Sequence, residues 1–367
     1  METKSKIAFF GSSVVSAYWN GAATYYRGIV KALSQLGHEV TFYEPDIYDR
    51  QKHRDIADPD YCKVVIYEST EAEIERLLAE ASLADVIIKA SGVGAFDDLL
   101  EAGVAKLKAD NNLVIFWDVD APATLDRINS DPFDPFNELI PKYDYILTYG
   151  GGQPVIDAYE SKLAQKCIPV YNAFDAETHH PVPAEEQYQC DLAFLGNRLP
   201  DREARVEEFF LNAAEILPDK KFILGGSGWG DKALPGNANY VGHVYTNQHN
   251  AFNTSPLAVL NISRDSMAKY GFSPATRVFE AAGAGACIIT DYWEGVDFFF
   301  EPGKEILIAN NGEEVAEILR ELTPERALEI GKAAYSRAMS HHTYNNRAGL
   351  LDSIFDKSLS SAEKIYL

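Results

Sequence analysis

The feature that most constrains this chain is an alternation of short apolar runs with helical segments, carried through most of its 367 residues. Residues 7–10 form an apolar run that stops at Gly11, and residues 12–20 have loop character. Residues 21–36 place Ile29, Val30, Leu33 and Leu36 at helical spacing, with Gly37 as the stop. Residues 38–43 are strand-like again. A strand, a helix and a second strand in that order make a βαβ unit, hence a parallel sheet with a right-handed crossover.

The pattern recurs. Further strands are expected at 63–67, 84–89, 113–117, 145–148 and 167–170, with helices at 71–81 and 97–109. Residues 171–183, which contain Pro181, Pro183 and the pair His179-His180, break the alternation and suit an interdomain linker. Strands are then expected at 192–195, 222–224, 239–241, 257–262, 287–290 and 306–309. Helices fit 203–216, 274–284, 313–322 and 325–339, and an amphipathic segment covers 344–355. The fold expected is α/β, with two doubly wound Rossmann-like domains at residues 1–172 and 173–343 and a terminal helix within 344–367. Each sheet offers a crevice at the carboxyl ends of its strands, and two such crevices facing each other would bring two ligands together in a cleft.

Composition sets limits on partners. Hydrophobic residues make up 46%, enough for two cores. A formal charge of −22 repels nucleic-acid backbones and anionic lipid, so a phosphate-bearing ligand needs a local basic or amide-rich pocket. Cys62, Cys167, Cys190 and Cys287 are scattered without metal or redox spacing, as expected of free thiols in a reducing compartment. The polar start and the lack of a membrane-length apolar run lead us to expect a cytoplasmic protein without a signal peptide or a membrane span.

The most informative segment is LNISRDSMAKYGFSPATRVFEAAGAGACIIT, residues 260–290. Ser273-Pro274 has the form of a helix start, with Ser273 as cap and free amides that suit a phosphate. Arg277 and Glu280, three apart, share one helical face. A guanidinium can pair with a pyrophosphate, and a carboxylate can accept two ribose hydroxyls. An ordinary surface ion pair has the same spacing. Gly271, Gly283 and Gly285 permit close backbone approach around this helix. In FLGNRLPDREAR, residues 194–205, Gly196 and Asn197 could line a site, with Arg198 or Arg202 aimed at phosphate; a capped helix with solvated arginines fits equally. The run GGSGWG at 225–230 lacks the lysine and hydroxyl of a P-loop and suits a mobile loop, with Trp229 at a cleft rim.

In the first half, Asp118 and Asp120 end a buried strand, where carboxylates project into the crevice. One of them, Asp120 by preference, could serve as a general base; a turn cap and a solvated neighbour are the plainer reading. The loop after the first strand offers Ser12, Ser13, Tyr18, Trp19 and Asn20 for a sugar: a ring to stack on, with hydroxyl and amide groups for its hydroxyls. The same loop could simply pack on its own domain. His179 and His180 have no metal-like spacing and fit a structural role.

Residues 260–290 resemble the donor-binding region of glycosyltransferases with the GT-B fold. Within these they are most similar to the CgeB-like, spore-maturation-type group. Its pattern is carried here by Asn261, Ile262, Arg264, Gly271, Ser273, Arg277, Phe279, Glu280, Ala281 and Gly285, and by 342–347 near the end. The resemblance covers the C-terminal half well and the other half in outline. It implies a donor ribose on Glu280, a diphosphate near Arg277, Arg264 and the amides after Ser273, a base near His243, and a terminal helix that crosses back to the first domain. His243 could equally be structural. Many retaining members carry a second glutamate where this chain has Phe272, so the resemblance does not support retention. The D-x-D of Asp118 and Asp120 matches a metal motif of a different glycosyltransferase fold, but it lies in the acceptor half, away from the diphosphate.

The activity expected is metal-independent, inverting transfer of a sugar from a nucleotide diphosphate, UDP by default, to a hydroxyl acceptor. No cofactor beyond this co-substrate is expected, and no nucleic-acid partner. A sugar-nucleotide epimerase of the same fold, or a non-catalytic sugar-nucleotide or glycan-binding protein, would share these features.

Overall fold

The computed structural model describes residues 4–263 and 271–356, so Arg264 lies outside the described residues. The chain divides into two compact units: described residues 4–172 with 344–356, and Ala173–Thr343.

The first unit is built on seven parallel strands: β1 (Lys6–Phe10), β2 (Glu39–Pro45), β3 (Lys63–Tyr67), β4 (Val86–Ala90), β5 (Leu113–Asp118), β6 (Tyr145–Thr148) and β7 (Cys167–Pro169). Their order is β3-β2-β1-β4-β5-β6-β7, so the winding reverses between β1 and β4, where a doubly wound sheet opens its crevice. Every residue of β4 and of β5 is buried. Helices cover both faces of such a sheet, which is why these strands appear in the sequence as continuous apolar runs rather than alternating ones.

The helix Ala23–Gln35 buries Tyr25, Tyr26, Ile29, Val30 and Leu33. The terminal helix Tyr344–Phe355 packs against it, inside this first unit. Gly28 makes that packing possible, because a Cβ there would come within 2.2 Å of the Tyr344 ring. Polar contacts fix the terminal helix. Tyr344 Oη donates to Asn172 Oδ1 at 3.1 Å, and Arg347 Nε donates to Tyr171 O at 2.9 Å. Asp352 receives Lys4 Nζ at 2.7 Å and faces His38 Nε2 at 3.1 Å.

The second unit repeats the winding with six parallel strands: β8 (Leu192–Leu195), β9 (Phe222–Gly225), β10 (Ala238–Gly242), β11 (Ala258–Asn261), β12 (Ile288–Asp291) and β13 (Leu307–Ala309). Their order is β10-β9-β8-β11-β12-β13. The helix expected at 203–216 is present, with a π-helical turn at Glu207–Leu211. Thr70, Asn311 and Thr323 cap helices with their side chains, each adding about 1 kcal/mol.

Among the described residues, three helices of six residues or more escape the apolar pattern: Ala121–Ser130, Gly152–Ser161 and His249–Thr254. The first two carry a proline near the start, at Pro122 and Pro154, which is a helix-opening signal set among polar or glycine residues. The helix expected at 274–284 begins later, at Thr276. Ser273 therefore does not cap it. The cap position falls to Ala275, in extended conformation and with no side-chain bond. Proline disfavours helical geometry in the residue before it, so Ser273 is kept out of the helix start. The four cysteines are free, and no helix among the described residues is long and apolar enough to cross a membrane.

Candidate functional site

The helix Thr276–Gly283 buries Val278, Phe279, Ala281 and Ala282 and leaves Arg277 and Glu280 partly exposed on its other side. It lies close to its neighbours as the glycines suggest: a Cβ at Gly283 would meet the Phe174 ring at 2.3 Å, and one at Gly331 would meet Gly285 O at 2.2 Å.

Glu280 Oε1 stands 3.6 Å from His179 Nε2, with side-chain exposures of 14% and 7%. The loop holds His179 firmly. Its amide donates to Asp175 O at 2.8 Å, Asn250 Nδ2 donates to Thr178 O at 2.9 Å, and the His180 amide donates to Asn250 Oδ1 at 3.3 Å. The His249 ring lies nearly parallel to that of His179, centroids 6.2 Å apart, and its Nε2 faces Val244 O at 3.2 Å. Burial draws His249 below the ordinary imidazole range; Glu280 opposes that, while Arg277 and His179 add to it. Burial also lowers Arg277, again opposed by Glu280. Among the described residues, the Arg277 guanidinium makes no salt bridge, and Glu280 pairs with nothing except His179. A cation without a salt bridge and a carboxylate met only by His179 therefore share one helix face, with the His249 ring nearby. The sequence showed Arg277 and Glu280. It could not show His179 and His249, about 100 and 30 residues earlier, beyond the bare fact of a histidine pair in the linker.

Other residues expected at this site are engaged elsewhere. Arg198 is bound by Glu203 at 2.7 Å and Asp231 at 2.8 Å, and these carboxylates raise its pKa further. Its guanidinium is thus held by two carboxylates of its own unit while staying partly exposed. Asn197 Oδ1 accepts from Ser227 N at 2.9 Å, and Gly196 O accepts from Trp229 Nε1 at 2.7 Å. Trp229 is only 1% exposed, so residues 225–230 are anchored to the core rather than forming a loop at a rim. Gly226, at φ +115°, could take no side chain, because a Cβ would lie 2.2 Å from Gly196 O. His243 is exposed, edge-on to Tyr245 at 4.7 Å, and Ser273 is half-buried. The carboxyl edge of this sheet also holds Asp291, fully buried. It receives Arg205 Nη2 at 2.6 Å, the Ser263 amide at 3.1 Å and the Thr290 hydroxyl at 3.2 Å.

In the first unit Asp118 and Asp120 separate sharply. Asp118 is fully buried. Its Oδ1 accepts from Thr124 Oγ1 at 2.9 Å and the Asp120 amide at 3.1 Å, and its Oδ2 from Tyr159 Oη at 2.5 Å. Burial raises its pKa against those donors. This caged carboxylate organises the strand end and leaves no open face for a substrate. Asp120 is exposed at the start of the helix Ala121–Ser130, and its side chain does not cap it. The two carboxylates of the D-x-D thus diverge. Ser12, Ser13 and Asn20 turn inward: Ser12 Oγ donates to Asn20 Oδ1 at 2.8 Å, and Ser13 Oγ to the buried Glu44 at 3.0 Å. They brace the loop rather than line a surface. Tyr18 and Trp19 are exposed, at 40% and 79%.

Residues 202–352 match a family model described as "Glycosyl transferase-like". No curated protein matches the chain. Several solved structures are similar along nearly its whole length. Sucrose-phosphate synthase from Thermosynechococcus elongatus is 14% identical, with a TM-score of 0.65 over 96% of this chain and 99% of that one. Anabaena HepE, solved in complex with UDP, is 12% identical, with a TM-score of 0.67 over 96% and 100%. A DNA-modifying β-glucosyltransferase, solved with and without uridine diphosphoglucose, is 15% identical, with a TM-score of 0.59 over 96% and 99%. With two parallel α/β units wound in the same order, the chain has the fold of the GT-B glycosyltransferases.

Proposed function

We propose that this protein is a glycosyltransferase that moves a sugar from a nucleoside diphosphate sugar to a hydroxyl acceptor, without metal and with inversion. The observation that carries the reading is the placement of Arg277, which makes no salt bridge, and Glu280 on one helix face, with His179 beside the carboxylate. Glu280 accepts the ribose hydroxyls, and Arg277 takes up charge that develops on the departing diphosphate, in a partly buried setting where such charge stabilisation is strong. The binding of UDP and UDP-glucose by HepE makes a uridine donor the first to try.

Asp120 is the base: an exposed carboxylate at a strand's carboxyl end, with no side-chain bond to its own helix. It removes the acceptor proton as the acceptor oxygen bonds the anomeric carbon, and the bond from that carbon to the diphosphate breaks. Phe272 stands where many retaining GT-B enzymes carry a second glutamate, so the resemblance lends retention no support.

The test is a thermal-shift series with nucleoside diphosphates and their sugars, since a ligand at a hundredfold its Kd adds about 2.7 kcal/mol of stability. Glu280→Ala should abolish the shift. Asp120→Asn should keep the shift and lose about 10²–10⁴-fold in transfer rate. A flat response to every sugar nucleotide sinks the reading, and conversion of the donor without an acceptor points instead to an epimerase.

A further inference from the structure

A sheet edge is where one chain can add to another, because the outer strand carries backbone N–H and C=O groups that its own sheet leaves unused. Among the described residues the two sheets have four edge strands: β3, β7, β10 and β13. Three are blunted. β7 and β13 are three residues long, and β7 ends on Pro169. β10 shifts register between Tyr240 and Gly242. Beyond Lys63 at its start, β3 has no such device. Its five residues, Lys63-Val64-Val65-Ile66-Tyr67, include neither proline nor glycine and pair with β2 in unbroken register. Val64 and Val65 are half-buried, and Ile66 is 40% exposed.

The hydrogen-bond pattern tells which groups face outward. Tyr67 O accepts the Asp46 amide at 2.9 Å, so Tyr67 turns its backbone groups toward β2. These groups alternate sides along a strand. Lys63 and Val65 therefore also face β2, and Val64 and Ile66 present their N–H and C=O to the outside. Both are apolar, and they flank Val65. With two copies of β3 antiparallel about a two-fold axis at Val65, Val64 of one chain lies opposite Ile66 of the other, and four hydrogen bonds form. Val65 then lies opposite its own copy as a non-hydrogen-bonded pair, and Lys63 opposite Tyr67. A register centred on Ile66 would instead set Val64 against Glu68, whose carbonyl already accepts the Thr70 amide at 2.8 Å. The charges beside the edge are paired: Lys63 meets Glu80 at 3.5 Å, and Arg76 meets Glu73 at 2.6 Å and Glu80 at 3.3 Å. In a chain of formal charge −22, two cations here lessen the repulsion that a second copy would meet.

We propose that β3 is a dimerisation edge: two copies of this chain join β3 to β3 in antiparallel, with Val65 on the two-fold axis, in one continuous sheet to which each chain gives seven strands. A second copy is the occupant because the edge is its own complement in that register. Val64 and Ile66 exchange backbone hydrogen bonds and cover each other's side chains on one face. The contact is isologous and uses up the edge that makes it, so it closes at two chains. A five-residue strand pair supplies only part of the about 800 Å² per partner of a standard interface, so the dimer is reversible and its population follows concentration. The edge includes neither Arg277 nor Glu280, and the proposal does not rest on the transferase reading.

The test is sedimentation equilibrium of the full chain over a concentration series, which should show a monomer–dimer equilibrium. Ile66→Pro removes an outward N–H and leaves the ladder to β2 intact, so it should weaken the dimer about tenfold or more while the chain stays folded. Ile66→Lys keeps every backbone group but sets an ammonium against Val64. It should weaken the dimer as well, and it decides the matter if the proline variant does not fold. The register has its own readout. Val65→Cys should form a covalent dimer on mild oxidation, because a non-hydrogen-bonded cross-strand pair has its Cα atoms about 4.5 Å apart, within disulfide reach. Val64→Cys, opposite Ile66, should not, and the wild-type chain with its free Cys62 is the control. The proposal is overturned if the chain is monomeric at every concentration, if its dimer survives both Ile66 substitutions, or if Val64→Cys cross-links as readily as Val65→Cys. Failure of the transferase reading is a separate result, a missing UDP shift in the wild-type chain.

Discussion

The two sheets are wound alike, yet they treat a buried aspartate at the same point in opposite ways. Asp118 ends β5 and Asp291 ends β12, strands in equivalent positions of the two orders. Both side chains are fully buried, and burial raises both pKa values. Asp118 is met by a phenol, a hydroxyl and an amide, without a cation. Asp291 is met by a guanidinium, with an amide and two hydroxyls beside it. The same fold position therefore fixes the need for polar satisfaction, but not the means. At the first position the next carboxylate, Asp120, is exposed with no side-chain bond to its helix; at the second, the buried carboxylate is held by the guanidinium of Arg205.

Removing the cation is the harshest way to test this contrast. Arg205→Leu strands a buried carboxylate, which costs about 3 kcal/mol, the low end for a broken buried pair because Ser263 and Thr290 still donate and Arg205 is partly exposed. Urea unfolding of the variant should show it; an unchanged midpoint would mean that the amide and hydroxyls suffice. Tyr159→Phe removes one donor from Asp118 and should cost less, about 1–2 kcal/mol by the same measurement. If the Tyr159 variant is the weaker of the two, the contrast between the sites fails.

The smallest effect is the pH dependence of the imidazoles. His38 in the first unit and His249 in the second are both drawn below the ordinary value of 6.5 by burial. The folded state favours the neutral ring, so the stability each supports is complete above that value and is lost as pH falls through the depressed one. Melting temperature should drop on acidification below about pH 6.5, and His249→Gln should flatten that drop. His38→Gln should flatten it less, since Asp352, 3.1 Å away, pulls His38 back toward the charged form. Equal flattening by both variants would remove the compensating role assigned to Asp352.

Much of the architecture was legible because it follows from local periodicity. Continuous runs such as Leu113–Asp118 are what a strand covered on both faces requires, and helical spacing over 21–36 and 203–216 is a strong signal. The helix Ala121–Ser130 was not legible, because polar residues and a proline conceal it. Ser273 has the chemistry of a cap, but the backbone set by Pro274 moved the cap position to Ala275.

The sequence by itself determined two things: parallel α/β winding, from the alternation of strand and helix, and the placement of Arg277 and Glu280 on one helix face, from a spacing of three. Only the tertiary structure decided which charged groups remain uncommitted. Arg198 and Asp118 have the right chemistry for a site, yet Glu203 and Asp231 take the one and Tyr159 and Thr124 the other. His179 reached Glu280, and Arg50 fixed Trp19, across chain separations that no local pattern records. The physical reason is that a buried polar group must find partners wherever packing puts them, and packing is a property of the whole fold.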